Sequence, residues 1–273
     1  MLLIQRVYLP AVLLVLLTVA MMSSSLEGQT ATLTILPQDT PAMPGSLATA
    51  AVTVEGSADV SGFSYGLIHD NSILTLTAGN VTVGADLAAT QGGTGPDFLS
   101  IDLFASGFTF AAVINTDVAG VDLLANTAHE VTLMTYSVAP SAQFGSTPLV
   151  FTDTLGTPPV ALSVGMGVLF VEPPTLVNAS LFTTIPFHRG DLNQNGEVTI
   201  SDVIFLLTQL FGGVPLTCQD AADIDGNSVL ALSDAIFLLL YLFDGGPAPI
   251  APSSACGVPA TPSPLGCSTF NCP

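Results

Sequence analysis

The chain contains one unit twice, at an offset of 32 residues, and this duplication commits its last third to a paired architecture. Asp191, Asn195, Ser201, Asp202, Ile204, Phe205, Leu206, Leu207, Leu210 and Phe211 recur as Asp223, Asn227, Ser233, Asp234, Ile236, Phe237, Leu238, Leu239, Leu242 and Phe243. Each copy reads as a loop of oxygen donors followed by a helix. In the first, Asp191, Asn193 and Asn195 stand at loop positions 1, 3 and 5, Gly196 supplies the turn at 6, Glu197 offers its carbonyl at 7, and Asp202 closes the loop at 12. A hard cation takes about six to eight oxygens, and the chain has to turn sharply between the early ligands and the last, so this spacing predicts a Ca²⁺ site. The second loop places Asp223, Asp225 and Asn227 at 1, 3 and 5, the Val229 carbonyl at 7 and Asp234 at 12. It carries more charge on a less permissive backbone. Ser228 stands where Gly is expected, at a left-handed position that costs a non-Gly residue about 1–2 kcal/mol. Ala231 at position 9 also lacks the hydroxyl that Thr199 offers in the first loop.

The helices after the loops are unusually apolar. In the first, Val203, Ile204, Leu206, Leu207, Leu210 and Phe211 are expected to share one face, with Phe205, Thr208 and Gln209 off it and Gly212-Gly213 ending it. In the second the off-face positions are Phe237, Leu240 and Tyr241, so that helix is apolar nearly all round. Its outer side has to be covered by the rest of the chain or by a partner.

Upstream the texture differs. Short alternating apolar runs at 31–36, 48–54, 62–68, 73–77, 98–104, 108–114, 131–138, 149–152 and 160–164 are broken by Gly, Pro, Asn and Asp. With no amphipathic helix between them, they predict a β-sandwich over 29–186.

Residues 1–28 read as a secretory signal, with Arg6 as the positive n-region, an apolar stretch over 9–20 and a small polar cleavage zone at Ser23-Ser24-Ser25-Leu26-Glu27-Gly28. The chain is therefore expected outside the cell or at its surface, without a membrane span once the signal is removed. A mean hydropathy of +0.67 does not contradict this, because only the N-terminus approaches the length a span needs. With 2 Lys+Arg against 21 Asp+Glu, the net charge of -19 excludes nucleic acid, whose phosphates need clustered cations, and disfavours anionic membranes. Cys218, Cys256, Cys267 and Cys272 all fall in the last quarter of the chain, the last three of them in the Pro-rich tail. In an oxidising compartment they imply two disulfides out of three possible connectivities, and the expected pairs are Cys218 with Cys256 and Cys267 with Cys272. Zinc is a poor alternative: there is no C-x-x-C pair, and His69, His129 and His188 are scattered.

Two calcium loop–helix units 32 residues apart, without the preceding helix of a full EF-hand pair, resemble the dockerin module of bacterial extracellular polysaccharide-degrading systems. The resemblance covers 187–246 and leaves 247–273 as a Cys-containing tail. It implies calcium-dependent attachment to a cohesin module, with Asp191, Asn193, Asn195, Asp202, Asp223, Asp225, Asn227 and Asp234 at ligand positions. Well-studied dockerins recognise cohesin through a Ser/Thr pair at loop positions 10 and 11 and through basic helix residues. Here those positions read Ile200-Ser201 and Leu232-Ser233, and the helices hold no Lys or Arg. The partner implied is an unusual cohesin-like module or the chain's own β-sandwich. The segment Val60-Ser61-Gly62-Phe63-Ser64-Tyr65-Gly66-Leu67-Ile68-His69-Asp70, with Leu74 and Gly107-Phe108-Thr109-Phe110, is similar to cohesin-type or carbohydrate-binding β-sandwiches.

The expected fold is thus mainly β, an immunoglobulin-like or cohesin-like β-sandwich followed by a small α-helical, EF-hand-like dockerin module. The function it implies is non-catalytic, calcium-dependent assembly outside the cell, linked to polysaccharide degradation; the alternative is a sandwich that binds a polysaccharide and a dockerin that tethers it. Enzymatic readings are weaker. Gly62-Phe63-Ser64-Tyr65-Gly66 matches a nucleophile elbow, with His69, Asp70 and His129 as conceivable partners, but it sits among strands with no following helix. Glu55, Glu130 and Glu172 lack a spacing that would pair them, and there is no Trp to hold a sugar. Arg189-Gly190-Asp191 suggests an adhesion motif, but its Asp is already a loop ligand.

Overall fold

The computed structural model describes residues 28–116, 123–167, 170–213, 215–261 and 263–273. The expected export signal lies outside the described residues except for Gly28. Among the described residues no helix is long and apolar enough to cross a membrane.

Residues up to Thr183 form two facing sheets. The first runs β12 (Thr175–Val177), β1 (Ala31–Pro37), β2 (Leu47–Gly56), β8 (His129–Val138), β4 (Leu74–Thr75), with β5 (Val81–Val83) also on β8. The second runs β11 (Phe170–Glu172), β10 (Ser163–Met166), β3 (Val60–Ile68), β7 (Gly107–Val113), β6 (Phe98–Phe104), while β9 (Gly145–Thr152) joins β3 to β13 (Ala179–Thr183). Period-two alternation decides which side chains enter the core: Ala31, Leu33 and Ile35 of β1 and Ala48, Ala50, Val52 and Val54 of β2 all point inward. Between the sheets Tyr65 stacks on Phe110 and meets Phe108 and Phe151 edge-on. Its hydroxyl donates to Thr132 Oγ1 on the opposite sheet, so the one polar atom this ring brings into the core is satisfied there. Burial pushes the Tyr65 phenol far above its ordinary pKa, with the Thr132 bond pulling the other way.

Three expectations need correction. A short helix, α1 (Ala85–Gly93), does interrupt the strands; Glu130 and Asp86 hold its start by accepting the N–H of Ala85 and donating the Glu130 N–H to Asp86, and Leu87 is its buried anchor. The run at 73–77 yields only the two residues of β4, because Asp70 caps a turn by accepting from the Ser72 N–H and hydroxyl. The run at 160–164 starts its strand only at Ser163, since Val160 closes a turn by donating to the Leu155 carbonyl.

Beyond the strands a second cluster of buried side chains, among them Phe187, Leu192, Val203, Leu206, Ile224, Ala235 and Leu238, joins α2 (Ile200–Gly212), α3 (Gln219–Ala222) and α4 (Leu232–Phe243). α2 ends on Gly213 in the left-handed conformation (φ 71°), which a helix terminus of this kind favours.

Candidate metal centre

The two loops share most of their main hydrogen bonds, one difference being the Asn195 N–H to Asp191 Oδ1 bond, for which the second loop has no counterpart at Asp223 Oδ1 among the described residues. Asp202 and Asp234 each stand third in their helix, fully buried, and turn their carboxylates back onto their own loops. Asp202 Oδ1 accepts the N–H of Leu192 (2.9 Å) and Asn193 (3.1 Å), and Oδ2 accepts that of Thr199 (2.9 Å). Asp234 repeats the pattern with Ile224 (2.8 Å), Asp225 (3.4 Å) and Ala231 (2.9 Å). A carboxylate at a helix start also suits the positive end of the helix dipole. The early positions curl the loop. Asp191 accepts from Asn195 and Gly196, Asn193 from Asn195, and Asn195 from Glu197. In the second loop Asp223 accepts from Ser228, Asp225 from Asn227, and Asn227 from Val229.

This curl needs left-handed backbone twice per loop, at positions 4 and 6. Gln194 (φ 60°) and Gly196 (φ 90°) supply it in the first loop, Gly226 (φ 75°) and Ser228 (φ 64°) in the second. Each loop therefore has one glycine and one strained residue, in opposite order. The strain expected at Ser228 is present, and Gln194 carries a matching strain that sequence inspection overlooked.

All ten predicted site residues lie on these loops. One carboxylate oxygen each from Asp223, Asp225 and Asp234 falls within 4.8 Å of the others, and Asp223 Oδ1 is buried without a hydrogen-bond partner among the described residues. Such an atom is costly unless something positive meets it. Burial raises the Asp234 pKa, the backbone N–H groups of Ala231, Ile224 and Asp225 oppose that rise, and the Asp225 charge adds to it. Arg189 Nη1 lies 3.9 Å from Asp223 Oδ2 and meets part of the second loop's charge; in the first loop Asp191 and Asp202 are both fully buried, with His188 Nδ1 3.9 Å from Asp191 Oδ2 and no Lys or Arg paired with either among the described residues. The donors are carboxylate, amide and carbonyl oxygens, the last from Glu197 and Val229, with no sulfur or imidazole in the ligand positions. That set suits a hard cation.

Two supports of the site were missed in the sequence. Arg189 is buried, lies over the Phe187 ring, and donates to the carbonyls of Asp220 and Asp223, which fixes the entry to the second loop. Its burial also removes the adhesion reading of Arg189-Gly190-Asp191. The tail, in turn, folds back over both loops. Asn271 donates its N–H to Gln194 Oε1 (2.8 Å), Pro273 lies over Gly196, Ile250 packs so closely on Gly226 that a Cβ there would run into it, and Arg189 donates its N–H to the Pro252 carbonyl.

The disulfides are Cys218–Cys267 and Cys256–Cys272, so both expected pairs are wrong. Nearness in sequence was the misleading guide. The tail first returns past Phe187, which exchanges both backbone hydrogen bonds with Gly257, and later past Thr217 and Gln219, where Ser268 donates to Thr217 and Gln219 to Gly266. These two contacts set Cys267 beside Cys218 and leave Cys256 for Cys272.

The helix faces also differ from expectation. Val203 and Leu206 are buried and Leu207 and Leu210 partly so, but Ile204 is 59% and Phe211 76% exposed, while Gln209, expected on the outside, is buried. On α4 Ile236, Leu240, Tyr241 and Phe243 are exposed, the last to 70%. The outer side of α4 is thus open among the described residues, covered by neither the β-region nor the tail.

Among the described residues of the β-region, Ser64 and Glu130 take structural roles. Ser64 lies within β3, where its hydroxyl donates to the Ala161 carbonyl (2.7 Å) and meets Ser163 Oγ (2.8 Å), which is strand bonding and not a nucleophile elbow. Glu130 is occupied at the start of α1.

No protein-family model and no curated protein sequence matches the chain. Solved structures do. A chain of a type I cohesin–dockerin complex from Clostridium thermocellum aligns at 12% identity over 56% of this chain and 99% of that one, with a TM-score of 0.43. A type I cohesin from Pseudobacteroides cellulosolvens aligns at 14% over 57% and 92% (TM-score 0.41), and a non-cellulosomal cohesin from the archaeon Archaeoglobus fulgidus at 12% over 56% and 91% (TM-score 0.40). At these identities and scores the likeness carries no conclusion about partner or activity.

Proposed function

We propose that this chain is an exported, non-catalytic attachment protein whose paired loops bind two Ca²⁺ ions and whose helices then dock on a cohesin-like module of another protein. The observation that carries the reading is the convergence of one carboxylate oxygen each from Asp223, Asp225 and Asp234 within 4.8 Å of one another, three acids against the single guanidinium of Arg189, in a backbone frame repeated around Asp191 and Asp202. Bound calcium supplies the positive charge that offsets these buried carboxylates.

The chain's own residues do the rest. Asp202 and Asp234 tie each loop to the first turn of its helix, so an ordered loop is also an ordered helix start. The ordered pair then presents Ile204, Phe211, Ile236 and Phe243 outward, an apolar set without a cation, which fits an apolar partner surface better than a charged one. An intermolecular partner is favoured over the chain's own sandwich because these side chains are exposed among the described residues.

The test is a calcium titration of the metal-free full chain by calorimetry, with far-UV circular dichroism in parallel. Two saturable sites are expected, with Asp202→Ala and Asp234→Ala each reducing the number to one. Absence of heat and of any spectral change would reject the reading.

A further inference from the structure

The seven-stranded sheet ends on β6, which among the described residues pairs with β7 alone. Natural edge strands are usually kept short, charged with Lys, broken by Pro or covered, because alternate backbone N–H and C=O groups point outward and can pair with another chain. Among the described residues β6 uses none of these devices. It is seven residues long, Phe98-Leu99-Ser100-Ile101-Asp102-Leu103-Phe104, with no cation and no Pro, and Phe98, Leu99, Leu103 and Phe104 are each more than a third exposed.

Its apolar pattern also reads the same in both directions about Ile101. When two such strands pair antiparallel around a two-fold axis at Ile101, Phe98 faces Phe104 of the second copy, Leu99 faces Leu103, and Ser100 faces Asp102. We propose that β6 is a self-pairing edge through which two copies of this chain join their sheets about that axis.

Charge selects this register. Asp102 is the strand's one formal charge, and in the centred register it meets Ser100, whose hydroxyl already donates to Asp102 Oδ2 within its own strand (3.2 Å). An axis at Asp102 would set two carboxylates directly opposite each other, which is destabilising, and an axis at Ser100 would set Asp102 against Phe98 and leave Phe104 opposite Pro96, beyond the strand. The area decides the strength. The four exposed apolar side chains, counted on both copies, come to at most roughly 600 Å², against about 1,200 Å² or more for a stable interface. The pairing is therefore weak and concentration-dependent. It involves no residue of the paired loops and stands apart from the calcium reading.

Sedimentation of the full chain over a wide range of concentration tests it, with Ser100→Asp and Ser100→Lys as variants. Ser100 is on the outer face of the sheet, and unchanged far-UV spectra check that both variants fold. The wild type is expected to pass from monomer to dimer as concentration rises. Ser100→Asp sets a carboxylate against Asp102 twice per dimer and should weaken association roughly tenfold, and Ser100→Lys should strengthen it by a similar factor. A chain that stays monomeric throughout, or a dimer whose dissociation constant is unmoved or shifts the same way in both variants, overturns the proposal.

Discussion

Replacing Ser228 by Gly should stabilise the second loop, and the opposite exchange in the first loop, Gly196→Ser, should destabilise its counterpart. Both residues occupy loop position 6 and both are left-handed, at φ 64° and φ 90°. A side chain in that region costs about 1–2 kcal/mol, whereas a glycine widens the unfolded ensemble by about 0.4–1 kcal/mol. Among the described residues the Ser228 hydroxyl makes no hydrogen bond that would be lost; the residue's contribution to the loop is its N–H, donated to Asp223 (3.2 Å). The net gain for Ser228→Gly is therefore about 0.5–1 kcal/mol. Gly196→Ser loses a similar amount, and more because an added Cβ would lie 3.0 Å from the Pro273 ring.

Gln194→Gly makes the contrast that separates strain from mere glycine content. It relieves the same kind of strain at position 4, but it also removes the acceptor of the Asn271 N–H, a bond worth about 0.5–1.5 kcal/mol, so its net effect should lie near zero. The assay is urea unfolding in saturating calcium, followed by the helical far-UV signal, which comes mainly from α2 and α4. An increase in midpoint for Ser228→Gly, a decrease for Gly196→Ser and little change for Gln194→Gly are expected. If Ser228→Gly left the midpoint unchanged or lowered it while Gly196→Ser cost nothing, the strain argument would be refuted.

Other predictions concern the supports of the fold. Arg189→Met should cost about 2–4 kcal/mol and weaken the second calcium site more than the first, because the carbonyls of Asp220 and Asp223 lose their shared donor; equal affinity at both sites in the variant would count against this. Cys256→Ser with Cys272→Ser, whose ring spans a sequence separation of 16, should lower stability by about 3 kcal/mol on the chain-entropy model, and Cys218→Ser with Cys267→Ser, at a separation of 49, by about 4 kcal/mol. Non-reducing peptide mapping checks the pairing itself. His69 is held below its ordinary pKa of 6.5 by burial, against an opposing pull from the Asp70 charge, so the unfolded chain takes up its proton first as the solution is acidified. The stability it contributes is full above pH 6.5 and falls as pH drops from there through the lower folded-state value. His69→Gln should flatten that part of the stability–pH curve; an identical slope in wild type and variant would exclude the residue as its source.

What could be read from the chain was what is local. β6 and the alternation of β1 and β2 follow from a period of two, and the loop frames follow from donors spaced within twelve residues that bond mostly to their own neighbours. What could not be read depends on distant segments meeting: the cysteine pairing follows from where the tail crosses Phe187 and Thr217, and the role of Arg189 from its reach to carbonyls more than thirty residues away. The helices fail in a more instructive way. Recurrence at helical spacing predicts a buried face for their apolar residues, yet two helices packed side by side cover only a stripe, filled here by Val203, Leu206, Ala235 and Leu238. Ile204, Phe211, Ile236 and Phe243 occur at matching places in the two copies, offset by the same 32 residues as the ligands, and all four stay exposed. The surplus of large apolar side chains is repeated with the loops, and the packing among the described residues does not use it. Under the proposed attachment function these residues would give two equivalent docking faces, one beside each loop.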